Sequence, residues 1–195
     1  MIATTLLNYG KDINLDILPE LVGVSHFQVN SVKGIGAACN NALDFAFKQN
    51  KAEYCLILAN DIVEPHNTIE LRLEAFKSYP NAGIVAVPAD RQTKPVNKYL
   101  AGNFMIKREV YEKIGHFTQE WDNSYGAVDL HYTVRATLAG FDCVNVLGVQ
   151  SKHLDNGDTA YGFSKKQELK KTYPEFKAWE RSQDKELYLI YNHSK

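Results

Sequence analysis

The first half of the chain alternates between apolar runs and helix-periodic segments. Residues 54–58 form an unbroken apolar run, the pattern of a strand buried on both faces of a sheet. Similar strand-like runs lie at residues 2–7, 27–30 and 83–88. Apolar residues at helical spacing predict helices over 34–49 and 67–79, and a weaker pattern predicts a short helix over 14–22. Strands that alternate with helices predict a layered α/β fold.

The second half is less regular. Strands are predicted over 98–106 and 141–149, and helices over 108–114 and 125–139, which end at Gly115 and Gly140. Residues 151–162 are rich in aspartate, asparagine and glycine, so we expect an exposed loop there. The tail from residue 163 combines lysines with aromatic residues, which predicts a solvated helix with its aromatic side chains on the core. A strand-like run at 187–191 follows.

Composition limits the classes of protein to be considered. The 195 residues are 45% hydrophobic and 23% charged, which suits one globular domain with a full core. A net charge of -1 gives no broad basic field for a polyanion. No apolar run approaches the ~20 residues of a membrane-spanning helix, and the first residues do not resemble a signal peptide. The three cysteines each lie in an apolar segment, which predicts buried thiols and a cytoplasmic location.

The first candidate for chemistry is the polar pair that ends the 54–58 strand, Asn60 and Asp61. Ligands of open α/β sheets bind just beyond the carboxyl ends of the strands, so a carboxylate there faces a crevice. A carboxylate is a hard oxygen ligand that suits a divalent cation. The alternative is that the pair only caps the next turn, which these residue types also do.

Four further segments carry a recognisable pattern. Lys33 to Asn40 opens a helix with two glycines, Leu58 to Asp61 ends the central strand, Ala101 to Ile106 contains Gly102 and Asn103, and Val128 to Arg135 contains Asp129 and His131. His153 follows downstream. In their order and spacing, these segments resemble the family 2 glycosyltransferases of the GT-A fold. The resemblance covers about residues 2–153.

The resemblance implies a single GT-A domain with a mixed, mostly parallel sheet flanked by helices. Residues 1–90 would form the donor half, 91–162 the acceptor and catalytic half, and 163–195 a helical tail and strand. The implied activity is metal-dependent, inverting transfer of a hexosyl or pentosyl group from a nucleotide-diphosphate sugar to a hydroxyl acceptor. The implied cofactor is Mn²⁺ or Mg²⁺.

The same resemblance assigns a role to each candidate residue. The cation would be held by Asp61 and His153, and Asp129 would be the general base. The donor nucleotide is assigned to Asn8, Lys33, Gly34, Asn40, Asn60 and Asp61, and the acceptor to Gly102, Asn103, His131 and Arg135. The chemistry of these assignments is coherent, because a cation neutralises the diphosphate that departs and a positioned carboxylate can accept the acceptor's proton. An imidazole ligand favours Mn²⁺ over Mg²⁺.

Each assignment has a structural alternative. Asp129 could complement a helix dipole, Arg135 could brace the site or form an ion pair, and His153 could be an ordinary loop residue. Asn40 could be a helix-surface amide, and the glycines at 34 and 36 could serve only a tight helix entry.

The sequence also departs from the family pattern. Ala59 stands where the metal-binding turn usually has an aspartate, and Val128 stands where glutamate is common. Nothing between residues 8 and 30 is similar to the family's Asp-x-x-Ser-x-Asp donor segment. These departures favour a second hypothesis, a non-catalytic sugar- or nucleotide-binding module. A third hypothesis, transfer to hydroxylated bases of DNA, draws on the basic tail alone, and a nucleotidyltransferase lacks its glycine-rich basic loop.

Overall fold

The computed structural model describes residues 1–7, 34–59, 62–89, 93–100, 102–119, 127–153 and 160–183. The elements predicted over 14–22, 27–30 and 187–191 lie outside the described residues. The strands are β1 (Ile2–Leu7), β2 (Tyr54–Ala59), β3 (Ile62–Val63), β4 (Ala82–Ala86), β5 (Phe104–Lys107), β6 (Asp142–Asn145) and β7 (Lys152–His153). The helices are α1 (Ile35–Leu43), which continues as a π-helical segment (Asp44–Gln49), α2 (Thr68–Ser78), α3 (Arg108–Ile114), α4 (Val128–Leu138) and α5 (Ala160–Gln183).

Five strands form one sheet in the order β1-β2-β5-β4-β6, and β3 pairs with β7 in a second, two-stranded sheet. β1 is parallel to β2 and β4 is parallel to β6, whereas β5 is antiparallel to both of its neighbours. Four of the five strands therefore point in one direction. This confirms the mixed, mostly parallel sheet that was expected from the sequence.

Both faces of this sheet are covered, as the unbroken apolar run predicted. Along β2, Cys55 and Ile57 belong to one buried cluster, whereas Leu56 and Leu58 belong to the other. Residues from α1, α4 and α5 pack in the first cluster, and Phe76 of α2 packs in the second. The three cysteines are buried thiols, as predicted. Among the described helices, none is long and apolar enough to cross a membrane.

Three predicted boundaries were wrong. The strand predicted over 98–106 begins only at Phe104, because the preceding segment runs beside β6: Val96 bridges to Val144, and Asn97 N donates to Cys143 O at 2.8 Å. The strand predicted over 141–149 is confined to Asp142–Asn145. The predicted loop at 151–162 instead contains β7 and the start of α5, while residues 154–159 lie outside the described part.

Candidate functional site

Several strands end together at one edge of the main sheet. Leu7 of β1 pairs with Ala59 of β2, and Ala86 of β4 pairs with both Phe104 of β5 and Asn145 of β6. Because β5 runs in the opposite direction, its first residue lies at the edge where the other four strands end. Asn60 and Asp61 follow Ala59 directly in the chain, and Asn8 follows Leu7. These three residues and Lys33 lie outside the described residues, so their assignments stay predictions.

The two-stranded sheet brings His153 to this edge. In its antiparallel register, His153 pairs with Ile62, the residue that follows Asp61 in the chain. Ser151 anchors the approach to β7 on the segment that follows β4, since its N donates to Pro88 O at 2.9 Å and its Oγ donates to Val87 O at 3.3 Å. Two candidate metal ligands far apart in sequence thus belong to neighbouring chain segments.

Metal ligation itself stays a prediction. Only the backbone of His153 is described, and Asp61 is outside the described ranges. Among the side chains that are described, no group of three or more His, Cys, Asp or Glu residues could hold a metal ion.

Asp129 lies in the first turn of α4, as predicted, and is half-buried. Its Oδ1 accepts a hydrogen bond from Leu130 N at 2.8 Å. Ala127 and Val128 beside it are fully buried in the same cluster as Leu7, at the end of β1, and Ala38 in α1. The start of α4 is thereby fixed on the face of the sheet that α1 also covers. A carboxylate in a first helical turn complements the helix dipole.

Asn103 joins the start of β5 to the end of β2. Its side chain is 1% exposed, and its Oδ1 accepts a hydrogen bond from Ala59 N at 2.7 Å. Among the described residues, its Nδ2 has no hydrogen-bond partner. Gly102 beside it is exposed and has a φ of 87°, in the left-handed region that favours glycine. Two of the four residues predicted for the acceptor side therefore lie at the sheet edge where β2 ends.

Asn40 and Arg135 both bond to the backbone that follows α3. Asn40 Oδ1 accepts from Phe117 N at 2.7 Å, and its Nδ2 donates to Phe117 O at 3.1 Å. The Arg135 guanidinium donates to His116 O at 2.7 Å and to Ile114 O. Arg135 thus braces this segment, in line with the structural alternative for that residue. Gly34, with a φ of 97°, precedes α1 and permits the chain to enter the helix.

His131 and Arg135 line a surface groove of about 520 Å³ between α3, α4 and α5. The His131 ring lies 4.2 Å from the Trp179 ring. Burial, aided by the positive charge of Arg135, lowers the pKa of His131 to about 4, so its imidazole is neutral at pH 7. Asp129 does not line this groove. The structure therefore does not bring His131 and Arg135 together with the other acceptor candidates, and their acceptor role stays a prediction.

A buried ion pair next to the carboxyl edge of the sheet was not predicted from the sequence. Arg72 is 0% exposed and Glu64 is 8% exposed, and the two side chains form a bidentate pair. Thr68 Oγ1 also donates to Glu64 Oε2, at 2.9 Å. The spacing of Glu64, Thr68 and Arg72, each four residues from the next, is a helical pattern that could have pointed to this cluster.

No protein-family model and no curated protein sequence matches this chain. Solved structures do match it. Mannosyltransferase PcManGT from Pyrobaculum calidifontis, in complex with GDP-Man and Mn²⁺, is 14% identical with a TM-score of 0.70, over 98% of this chain and 68% of that chain. Drosophila β1,4-galactosyltransferase 7, in complex with manganese, UDP-Gal and xylobiose, is 16% identical with a TM-score of 0.54, over 80% and 68%.

A197 from STIV is 14% identical with a TM-score of 0.58, over 78% of this chain and 84% of that chain. At such identities the likeness concerns the fold, and it covers most of this chain in each case. The sheet order, the flanking helices and these matches agree with the fold that the sequence motifs implied. The chain has the GT-A fold, which it shares with a mannosyltransferase and a galactosyltransferase.

Proposed function

We propose that this protein is a metal-dependent glycosyltransferase that moves a sugar from a nucleotide-diphosphate donor to a hydroxyl of a saccharide acceptor. The observation that carries the proposal is the pairing of Ile62 with His153 at the carboxyl edge of a GT-A sheet. It supports a cation site that Asp61 and His153 share. The Mn²⁺ and nucleotide sugars bound by two similar structures add support. The proposal includes membership of family 2 and transfer of a hexosyl or pentosyl group.

The residues offered for the cation suit it chemically. A carboxylate oxygen and an imidazole nitrogen are ligands that Mn²⁺ accepts, and the donor's phosphates would complete the coordination. When bound, the cation neutralises negative charge on the departing nucleoside diphosphate. Ala59 supplies no second carboxylate, so we expect the cation to bind weakly without nucleotide and tightly with it.

Asp129 would act on the acceptor. As the acceptor oxygen forms its bond to the anomeric carbon, the bond from that carbon to the diphosphate breaks, and the hydroxyl proton passes to the Asp129 carboxylate. Attack from the face opposite the leaving group inverts the anomeric centre. The first turn of a buried helix holds Asp129 in a fixed position, which is what proton transfer at roughly 2.6–3.2 Å requires.

Donor binding tests the proposal. GDP-mannose, UDP-galactose and UDP-N-acetylglucosamine should be screened by thermal unfolding with and without Mn²⁺. A true donor at one hundred times its Kd raises the free energy of unfolding by about 2.7 kcal/mol. We expect Asp61→Ala to abolish the Mn²⁺-dependent part of this gain. Glu53→Ala is the matched control, because it removes an exposed carboxylate just before the other end of β2.

Two outcomes would contradict the proposal. Equal Mn²⁺-dependent stabilisation of the wild-type and Asp61→Ala proteins would remove Asp61 from the site. Tight, metal-dependent donor binding without transfer to any saccharide would instead indicate the non-catalytic binding module.

A further inference from the structure

Arg72 lies at the centre of a hydrogen-bonded network next to the end of β2, where the candidate site lies. Its Nη1 donates to Glu64 Oε2 at 2.7 Å and to Thr68 O at 3.3 Å. Its Nη2 donates to Glu64 Oε1 and to Asn103 O, the latter at 3.3 Å. Of the five N–H groups of the guanidinium, only that of Nε has no partner among the described residues. A lysine ammonium could not reach three acceptor groups in this fixed geometry.

The network contacts the chain on both sides of Asn60 and Asp61. On one side, Ala59 N donates to Asn103 Oδ1, and the carbonyl of the same asparagine accepts from Arg72. On the other side, Glu64 follows β3 directly and is held by Arg72 and Thr68. Arg72 itself is fixed by its position on α2, whose buried residues are Thr68, Arg72 and Phe76.

Stability alone does not account for a buried pair of this kind. Removing two charges from water costs free energy that their mutual attraction repays only with good geometry, and apolar substitutes often leave a protein equally stable. Buried charge networks are more easily understood where they orient other groups. Mutation of residues that hydrogen-bond to metal ligands and orient them typically changes metal affinity 10–100-fold.

We propose that Arg72 is a positioning residue of the active site: through Asn103 it fixes the end of β2, and through Glu64 it fixes the residue that follows β3, so that the segment containing Asn60 and Asp61 is held at both ends. The inference rests on the proposed function, because it assumes that the connection from β2 to β3, which contains Asn60 and Asp61, binds the cation. Arg72 touches neither the cation nor the donor. Its effect is to hold the backbone on both sides of the connection in the geometry that metal binding requires.

The test compares two double variants with the wild-type protein. Glu64→Leu/Arg72→Met replaces the buried pair with apolar side chains of similar volume. Glu74→Leu/Lys77→Met makes the same kind of change at an exposed ion pair on the same helix, 63% and 72% exposed. Arg72→Lys, which keeps the charge opposite Glu64, is used for both measurements if the first variant does not fold.

Two measurements are needed. The first is hydrogen exchange of the Ala59 amide without ligand, which should be at least ~10-fold faster in the Glu64/Arg72 variant and unchanged in the Glu74/Lys77 variant. The second is the Mn²⁺ concentration that half-saturates binding of whichever of the three nucleotide sugars the wild-type protein binds. We expect this concentration to rise at least ~10-fold in the Glu64/Arg72 variant alone.

Each of the other outcomes overturns a specific part of the inference or the proposed function. Unchanged exchange at Ala59 would show that Arg72 does not hold the end of β2. Faster exchange with unchanged Mn²⁺ dependence would reduce the network to a structural role and overturn the inference, while the proposed function would stand. Absence of Mn²⁺-dependent binding in the wild-type protein itself would overturn the proposed function and the positioning role together.

Discussion

At the scale of single residues, the structure decides between roles that residue type leaves open. The amide of Asn40 can bind a nucleotide or a backbone, and here it pairs with both polar groups of Phe117, 77 residues away. Arg135 likewise donates to two carbonyls, one of the last residue of α3 and one just after the helix. The Asp129 carboxylate accepts a hydrogen bond from Leu130 N, the next amide in its own helix. That contact helps to hold the carboxylate in the first turn of α4.

Asp129→Asn tests the proposed general base. The substitution keeps shape and hydrogen bonding but removes the basicity, so we expect kcat to fall at least ~10²-fold with donor affinity unchanged. Steady-state kinetics and donor binding, measured on the same protein, check this. Glu109→Gln is the control, since it alters an exposed carboxylate that is also in the first turn of a helix. Wild-type kcat in the Asp129 variant would mean that the base lies elsewhere.

At the scale of elements, the burial of side chains on α5 agrees only in part with the pattern predicted for the tail. Its lysines at 170 and 171 are exposed and Phe176 is fully buried, as the pattern of the tail predicted. Tyr173, however, is 41% exposed. The burial of Glu180 was not predicted. Its carboxylate accepts hydrogen bonds from Tyr99 at 2.6 Å and Lys177 at 2.6 Å, and it pairs with Lys98 at 2.8 Å. This cluster joins α5 to the segment before β5.

Glu180→Ala should weaken the docking of α5. Removing one member of a buried ion pair leaves the other charges uncompensated, so we expect a loss of about 3–5 kcal/mol of unfolding free energy. Glu74→Ala, at an exposed pair, should cost only about 0–1 kcal/mol. Urea denaturation measures both, and equal losses would contradict the docking role.

The same cluster predicts a pH dependence. Burial opposes ionisation of Glu180, but hydrogen bonds from Lys177, Lys98 and Tyr99 outweigh it and lower the pKa of its carboxyl below 4.5. A lowered pKa stabilises the fold above 4.5, and this contribution is lost as the pH falls through the folded-state pKa. Glu180→Ala should reduce the pH dependence of stability in that acidic range.

At the scale of the whole molecule, the small sheet joins two distant parts of the chain at the candidate site. β3 and β7 lie far apart in the chain, yet Ile62 pairs with His153 and Val63 with Lys152. The pairing uses backbone groups, so the exposed side chain of Lys152 is not needed for it.

Lys152→Pro should separate these two parts. Proline removes a backbone donor and restricts the strand, so we expect Mn²⁺-dependent donor binding to weaken at least ~10-fold while the five-stranded core stays folded. Lys152→Ala changes only the side chain and should bind as the wild-type protein does. Calorimetric titration distinguishes the two variants. Equal donor binding by both would mean that β7 does not contribute to the site.

The sequence by itself determined the local features of this protein. The apolar run of β2 predicted a strand covered on both faces, because such a run can be buried only between two layers. Gly115 and Gly140 marked the ends of α3 and α4, where φ values of 71° and 92° favour glycine. The order of the motifs implied the GT-A fold, since each motif belongs to one strand end or helix start.

Only the tertiary structure decided which groups meet. The apolar pattern of α2 rests on Ile69, Leu71, Leu73 and Phe76. Phe76 is buried, as expected, but the other three are half-buried, whereas the polar residues Thr68 and Arg72 are buried. Arg72 can be buried because Glu64 and the carbonyl of Asn103 compensate its charge and donors, and Asn103 lies 31 residues away in the chain. The pairing of Ile62 with His153 is equally non-local. Periodicity reports how much of a segment is covered, whereas the identity of its partners depends on contacts between residues far apart in the chain.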